Sequence, residues 1–265
     1  MYGTDFEKSH LAWRVAKNEM GTVKNIDREK ISLYIGIPFC PTTCLYCSFT
    51  SYAIAAYRNV VEEYVDCLIK EMDYVSARYA DKILDTVYVG GGTPTTLEAH
   101  QFHKLLSAVG DAFGFDGLEE FTIEAGRPDS ITREKLLALK ECGVERISIN
   151  PQTMNDDVLE RIGRRHSAAQ TIEAFELARQ VGMNNINMDT IAGLPGDTVD
   201  SFRRTMEILT GLDPESITVH SLAIKRSSKL HEMMHVGEGG HNHVSADGAM
   251  DMITNARHRL TDAGW

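Results

Sequence analysis

No apolar run in the 265 residues approaches the roughly 20 that a membrane-spanning helix needs. The first ten residues, Met1 to His10, also lack the basic and apolar regions of a signal peptide, so a cytoplasmic protein is expected. Positive charge is in short supply: 27 basic residues face 38 acidic ones, for a net charge of −11. Such a chain repels phosphate backbones and has no counterion-release term to draw on, which removes nucleic acid from the expected partners. Cysteine is scarce too. Five residues, an odd number with three of them inside eight positions, do not make a disulfide framework. What remains is ordinary globular material, 43% hydrophobic and 25% charged, long enough for one large domain with a substantial core.

Short β-branched or apolar runs alternate with longer amphipathic stretches, and this rhythm predicts repeated βα units. After a helix over about Phe6 to Met20, strands are expected at Ile31–Ile37, Leu84–Val89, Glu119–Glu124, Glu145–Ile149, Asn184–Ile191 and Ser216–Leu222. Helices are expected between them at about Tyr57–Tyr79, Glu98–Ala112, from Thr132 to Cys142, in segments up to Val181, and at about Thr198–Leu209. The fold class is therefore α/β, an incomplete (β/α)6 parallel barrel with its helices outside. The expected organisation is an N-terminal helical extension over 1–30, the barrel core over 31–224, and the start of a C-terminal region over 225–265. In that last region a Gly/His/Met-rich loop is expected over Met233–His243 and a helix over Val244–Leu260. The sequence stops at Ala263-Gly264-Trp265 without a polar tail, which predicts that it is part of a longer protein.

In parallel folds of this kind the chemistry gathers at the carboxyl ends of the strands, and the Gly, Pro and polar clusters of this chain fall there. Cys40-x3-Cys44-x2-Cys47 offers three thiolates from one loop. A 4Fe–4S cluster has four irons, so three ligands leave one iron open to a small molecule. The alternative is a zinc site with its fourth ligand elsewhere, but zinc ribbons present paired Cys-x2-Cys knuckles, and no histidine stands at knuckle spacing. Cys67 and Cys142 are expected to be small buried hydrophobes. The run Gly90-Gly91-Gly92-Thr93-Pro94-Thr95 would let backbone groups approach a ligand, where a bare turn would need only one or two glycines. Glu124 ends an otherwise apolar strand, where a carboxylate requires a cationic or hydroxyl partner. His231, His235, His241 and His243 lie in a stretch without periodicity and are expected in a solvated loop, not a metal site.

The Cys-x3-Cys-x2-Cys spacing with Tyr46 before the third cysteine resembles the signature of the radical S-adenosylmethionine (SAM) superfamily. The string Ile37-Pro38-Phe39-Cys40-Pro41-Thr42-Thr43-Cys44-Leu45-Tyr46-Cys47-Ser48-Phe49 is similar to that of the oxygen-independent coproporphyrinogen III oxidases, or coproporphyrinogen dehydrogenases. The resemblance runs from about Ile31 to Lys229. Ser48-Phe49-Thr50-Ser51-Tyr52, Glu124-Ala125-Gly126-Arg127-Pro128-Asp129 and Val219-His220-Ser221-Leu222-Ala223-Ile224-Lys225-Arg226 look most like the HemZ branch of anaerobic Gram-positive bacteria.

The resemblance implies a 4Fe–4S cluster on Cys40, Cys44 and Cys47 and one or two bound SAM molecules. Gly91, Gly92 and Thr93 would line the methionine part of SAM and Tyr46 its adenine. Tyr34, Glu124, Gln152, Arg164, Asp189 and Ala223 would be further contacts, Arg164 able to grip a carboxylate through two bonds and Asp189 to accept from ribose or ammonium. The implied reaction takes one electron from a donor such as a flavodoxin or ferredoxin and cleaves SAM to a 5′-deoxyadenosyl radical. That radical removes hydrogen from propionates of coproporphyrinogen III, a tetrapyrrole, and loss of carbon dioxide and of one electron to an acceptor leaves the vinyl groups of protoporphyrinogen IX, a step of haem biosynthesis. Lys225 and Arg226 stand at the barrel mouth, where propionates would arrive. Some of the oxidases carry a further cysteine two places after the third, where this chain has Phe49. Haem-chaperone relatives share that departure, so a chaperone that keeps the cluster but transfers haem is the alternative.

Overall fold

The computed structural model describes residues 6–24, 27–235 and 245–265. The chain starts with α1 (Phe6–Lys24) and enters a sheet at β1 (Lys30–Ile37). A short pair, β2 (Phe39–Cys40) and β3 (Tyr52–Ala53), frames the loop that carries the clustered cysteines. Then follow α2 (Ile54–Tyr57), α3 (Val61–Arg78), β4 (Ile83–Gly91), α4 (Ala99–Phe113), β5 (Glu120–Gly126) and α5 (Arg133–Glu141). The second half holds β6 (Arg146–Gln152), α6 (Asp156–Arg161), α7 (Ala168–Gln180), β7 (Ile186–Ala192), α8 (Val199–Leu212), β8 (Ser216–Ser221), α9 (Lys229–His235) and α10 (Ala246–Asp262).

Six strands form one parallel sheet in the order β1-β4-β5-β6-β7-β8. Each new strand is laid beside the last, as successive right-handed βα crossovers require. β1 and β8 do not pair, so the sheet is a partial barrel and not a closed one.

Side-chain alternation explains why this sheet has two unlike faces. Ile35, Val87, Val89, Phe121, Ile123, Ile147, Ile149 and Met188 point outward into a continuous core with Phe102, Leu105, Leu136, Leu139 and Phe175 of the helices, all below 6% exposed. Each such burial is worth about 1.5–3 kcal/mol. The intervening residues, Tyr88, Glu124, Ser148, Asn187, Asp189 and Thr218 among them, face a cavity on the concave side. They are cross-linked there: Asn187 donates to Asp189 (2.6 Å) and accepts from Ser216 (2.8 Å) and Thr218 (3.0 Å), while Arg146 donates to Ser216 (3.1 Å). A closed barrel would fill this space with apolar side chains; here it is open and polar.

Helix entries follow local capping. The Thr132 side chain accepts from the Lys135 N–H at the start of α5, and Ser167 and Thr198 make capping boxes at α7 and α8. α10 lies against the core, with Met252 and Ala256 packed on Ala192, Phe202 and Met206.

Three expectations are corrected. Cys67 is exposed, because Val61, Val65 and Met72 set the buried face of α3 and Cys67 falls on the other side. The helix expected over Tyr57–Tyr79 starts later, as α3 at Val61, after a turn at Arg58 to Val60 that separates it from the short α2. The loop expected over Met233–His243 begins as helix, since α9 runs to His235; His241 and His243 lie outside the described residues.

Candidate functional site

At the carboxyl ends of the strands lies a cavity of about 590 Å³, within the range of small-molecule sites. It brings together Cys40, Cys44, Cys47, Tyr46, Gly91, Gly92, Thr93, Glu124, Gln152, Arg164, Asp189 and Ala223. Tyr34 does not line it. That residue borders an adjoining cavity of about 330 Å³, which shares Phe49, Gly91 and Glu124 with the first.

The cysteine wall is built by close backbone contact. The Gly92 N–H donates to the Ile37 carbonyl and the Thr93 N–H to the Phe39 carbonyl, both at 2.7 Å. The glycine run is thereby bonded to the chain that leads into the cysteine loop. A Cβ on Gly92 would stand 2.6 Å from the Phe39 oxygen and 3.0 Å from Cys40 Sγ. Gly91 has φ +108°, and a Cβ there would meet the Ile37 backbone at 3.0 Å. These glycines are therefore explained first by the loop they hold, and the N–H groups of Gly92 and Thr93 are already used within the chain.

The Thr93 hydroxyl lies 3.4 Å from Cys40 Sγ. Burial pushes the Cys40 thiol up, the Thr93 contact opposes this, and the neighbouring Cys44 and Cys47 add to it by repulsion. Burial likewise raises Cys47. Thiols that repel one another as anions, one buried and two half-buried, suit a cationic inorganic centre, which would ionise them outright. Among the described residues no three His, Cys, Asp or Glu side chains converge closely enough to hold a single metal ion.

Tyr46, within the cysteine loop, and Arg164 beside it continue this wall. Arg164 Nη1 donates to the Tyr46 hydroxyl (3.0 Å) and Nη2 to the Asn150 carbonyl (2.6 Å). Burial pushes the Tyr46 phenol up against the opposing pull of Arg164. Each terminal nitrogen of Arg164 thus commits one of its two N–H groups within the chain, and the remaining N–H groups are left for a ligand. Arg164 Nε, Gln152 Oε1 and Asn150 Oδ1 are buried without a partner, a costly condition that a polar ligand relieves. Gln152 is also held at φ +70°, in the left-handed region. SAM, with amino, carboxylate, ribose and adenine groups, has the donors and acceptors that these orphaned atoms need.

A second wall is acidic. Glu124 accepts from the Tyr88 hydroxyl at 2.6 Å, so the hydroxyl partner expected for it is supplied by the chain itself. Burial holds the Glu124 carboxyl above its ordinary range, Tyr88 opposes this, and the nearby Asp189 charge adds to it. Asp189 lies 4.0 Å from His220 Nε2. Tyr34 stacks on Tyr88 with centroids 5.9 Å apart and planes within 10°. Ala223 and Lys225 form the exposed rim; Arg226 is exposed and outside the lining.

The radical SAM superfamily model matches residues 34–209. The chain belongs to the radical SAM superfamily. That family uses a 4Fe–4S cluster and SAM, and the chain's similar relatives include proteins named as coproporphyrinogen oxidases and as heme chaperones. The chain is 42% identical over 234 residues to the oxygen-independent coproporphyrinogen-III oxidase-like protein HemZ of Bacillus subtilis, covering 86% of this chain and 47% of that protein. It is 39% identical to the heme chaperone HemW of the same organism, covering 78% and 54%. The crystal structure of coproporphyrinogen III oxidase (HemN) from Escherichia coli matches with a TM-score of 0.76 at 26% identity, over 88% of this chain and 52% of that one. The chain thus spans about half the length of the relatives it matches.

Within this radical SAM site, sequence reasoning missed Tyr88, Arg127, Asn150 and Asn187, all of which line the main cavity. For three of them a signal exists: each stands at a polar position alternating with apolar ones on its strand, the mark of a wetted concave face. Arg127 follows its strand, and only the folded loop shows what it touches. Among the described residues no helix is long and apolar enough to cross a membrane.

Proposed function

We propose that this chain carries out the oxygen-independent oxidative decarboxylation of coproporphyrinogen III propionates to vinyl groups, as a radical SAM oxidoreductase. One observation carries the reading: the three cysteines line a single cavity together with Asn150, Gln152 and Arg164, each of which has a buried polar atom without a partner. The substrate class rests on the likeness to the oxidase-like HemZ over most of this chain.

In this reading Cys40, Cys44 and Cys47 hold the cluster, and Thr93 supports Cys40. When bound, the cluster and SAM supply reductive cleavage of a sulfonium bond and removal of a hydrogen atom from the substrate. Gln152 and Arg164 meet the polar ends of the nucleotide, and Tyr46 is kept from turning by Arg164. Glu124, fixed by Tyr88, and Asp189, fixed by Asn187, accept from hydroxyl or ammonium groups. The tetrapyrrole enters over the rim at Ala223 and Lys225, whose ammonium suits a carboxylate. A flavodoxin or ferredoxin serves as electron donor.

A haem chaperone is the second reading. Phe49, 74% exposed, stands where some oxidases carry a further cysteine, and the HemW relative is nearly as similar as HemZ. Anaerobic incubation of the reconstituted chain with coproporphyrinogen III, SAM and a reductant separates the two. Mass analysis showing two successive losses of carboxyl carbon supports the oxidase. Stoichiometric haem binding with no such losses supports the chaperone and overturns the first reading.

A further inference from the structure

Arg127 is 3% exposed, directly after β5. A buried guanidinium needs every edge satisfied, and here the edges are divided unequally. Nε and Nη2 grip Asp129 at 3.0 and 2.9 Å, a two-bond pairing. Nη1 reaches across to the cysteine loop, where it donates to both the hydroxyl and the carbonyl of Thr42, midway between Cys40 and Cys44. Thr42 passes its own proton on to the Gly163 carbonyl at 2.8 Å. Behind Asp129 stands the wholly buried ring of His166, 4.0 Å away. The positive end of this ion pair therefore faces the cysteine loop, and its negative end is shared with His166.

We propose that Arg127 is a positioning residue that fixes the Cys40–Cys44 loop through Thr42 and raises the reduction potential of the centre those cysteines hold. This rests on the cluster reading given above. Reduction adds negative charge to the centre, and a buried cation beside the loop favours the more negative state, while Asp129, paired with that cation, partly cancels the effect.

The test is an EPR-monitored redox titration of the anaerobically reconstituted full chain, with iron content and the rate of iron loss to a chelator measured alongside. Arg127→Gln removes the cation and should shift the oxidised-to-reduced ratio at fixed potential about tenfold toward oxidised, a fall of about 59 mV for one electron. Asp129→Asn removes the opposing anion and should shift the ratio in the opposite direction. Arg127→Lys keeps the charge but loses the fork, so its potential should stay near the parent's while iron is lost several-fold faster. A role confined to holding the fold would lower iron content in all three variants without opposite shifts in potential. If the parent chain assembles no 4Fe–4S cluster, the underlying reading fails. If the parent is normal and Arg127→Gln and Asp129→Asn leave the potential unmoved or move it the same way, this inference alone is overturned. Should Arg127→Gln not fold, Asp129→Asn and Arg127→Lys decide the matter by the same criteria.

Discussion

Gly92 shows how much of this site depends on a side chain that is absent. Its Cβ would collide with the Phe39 carbonyl oxygen, a backbone atom that cannot swing aside, and would press on Cys40 Sγ. Gly92→Ala is therefore expected to displace the cysteine loop and cut iron incorporation at least several-fold, with helix content unchanged by circular dichroism. His166 makes a second prediction. Burial first, and then the charges of Arg164 and Arg127, hold its imidazole down at about 3, against an ordinary 6.5, with Asp129 opposing. Between those values the folded chain binds fewer protons here than the unfolded one, so this contribution is whole above pH 6.5 and lost as pH falls toward 3. It is on the order of 4–5 kcal/mol at most. His166→Gln should flatten the acid limb of a plot of melting temperature against pH; an unchanged slope would show that His166 is not the titrating group. At this scale the cysteines were legible because all three ligands come from one short stretch of chain. Tyr88 was not, since its role lies in a bond to Glu124 on the next strand, and Cys67 was misplaced because a helix turns it away from the core that its neighbours reach.

The cysteine loop is held from two sides, by the residues that end α6 and by α9. The Leu45 N–H donates to the Ile162 carbonyl at the end of α6, the Leu45 carbonyl accepts from the Leu230 N–H at α9, and Thr42 bonds to Gly163. Leu230 is itself 1% exposed. Leu230→Ala should cost about 2–4 kcal/mol locally, seen as faster hydrogen exchange at Leu45 and neighbouring amides while the strands keep their protection. Unchanged exchange there would mean that α9 does not brace the loop. The strands were readable from the period of their apolar residues and the helix starts from Thr132 and Thr198, because both signals are local. The break between α2 and α3 carries no such signal: Val60 at the start of α3 makes no side-chain cap. The tie from α9 to the cysteine loop joins residues 185 positions apart, beyond the reach of any local pattern.

As a whole, the molecule is a sheet that stays open so that its concave face can be polar. The rhythm of six βα units showed the open parallel sheet, and the gathering of Gly, Pro and polar clusters at strand ends showed which end carries the site. The depth of the polar lining appears only when alternate positions of five strands, β4 to β8, are taken together. Everything proposed for this cavity requires that three thiols hold an iron centre with one metal position free for a sulfonium nucleotide. The most direct measurement reconstitutes the chain anaerobically with iron and sulfide, counts the metal, and then adds SAM and a one-electron reductant. The account predicts about four irons per chain and formation of methionine with 5′-deoxyadenosine. A chain that takes up zinc in these thiols, or that binds iron and leaves SAM intact, would contradict it.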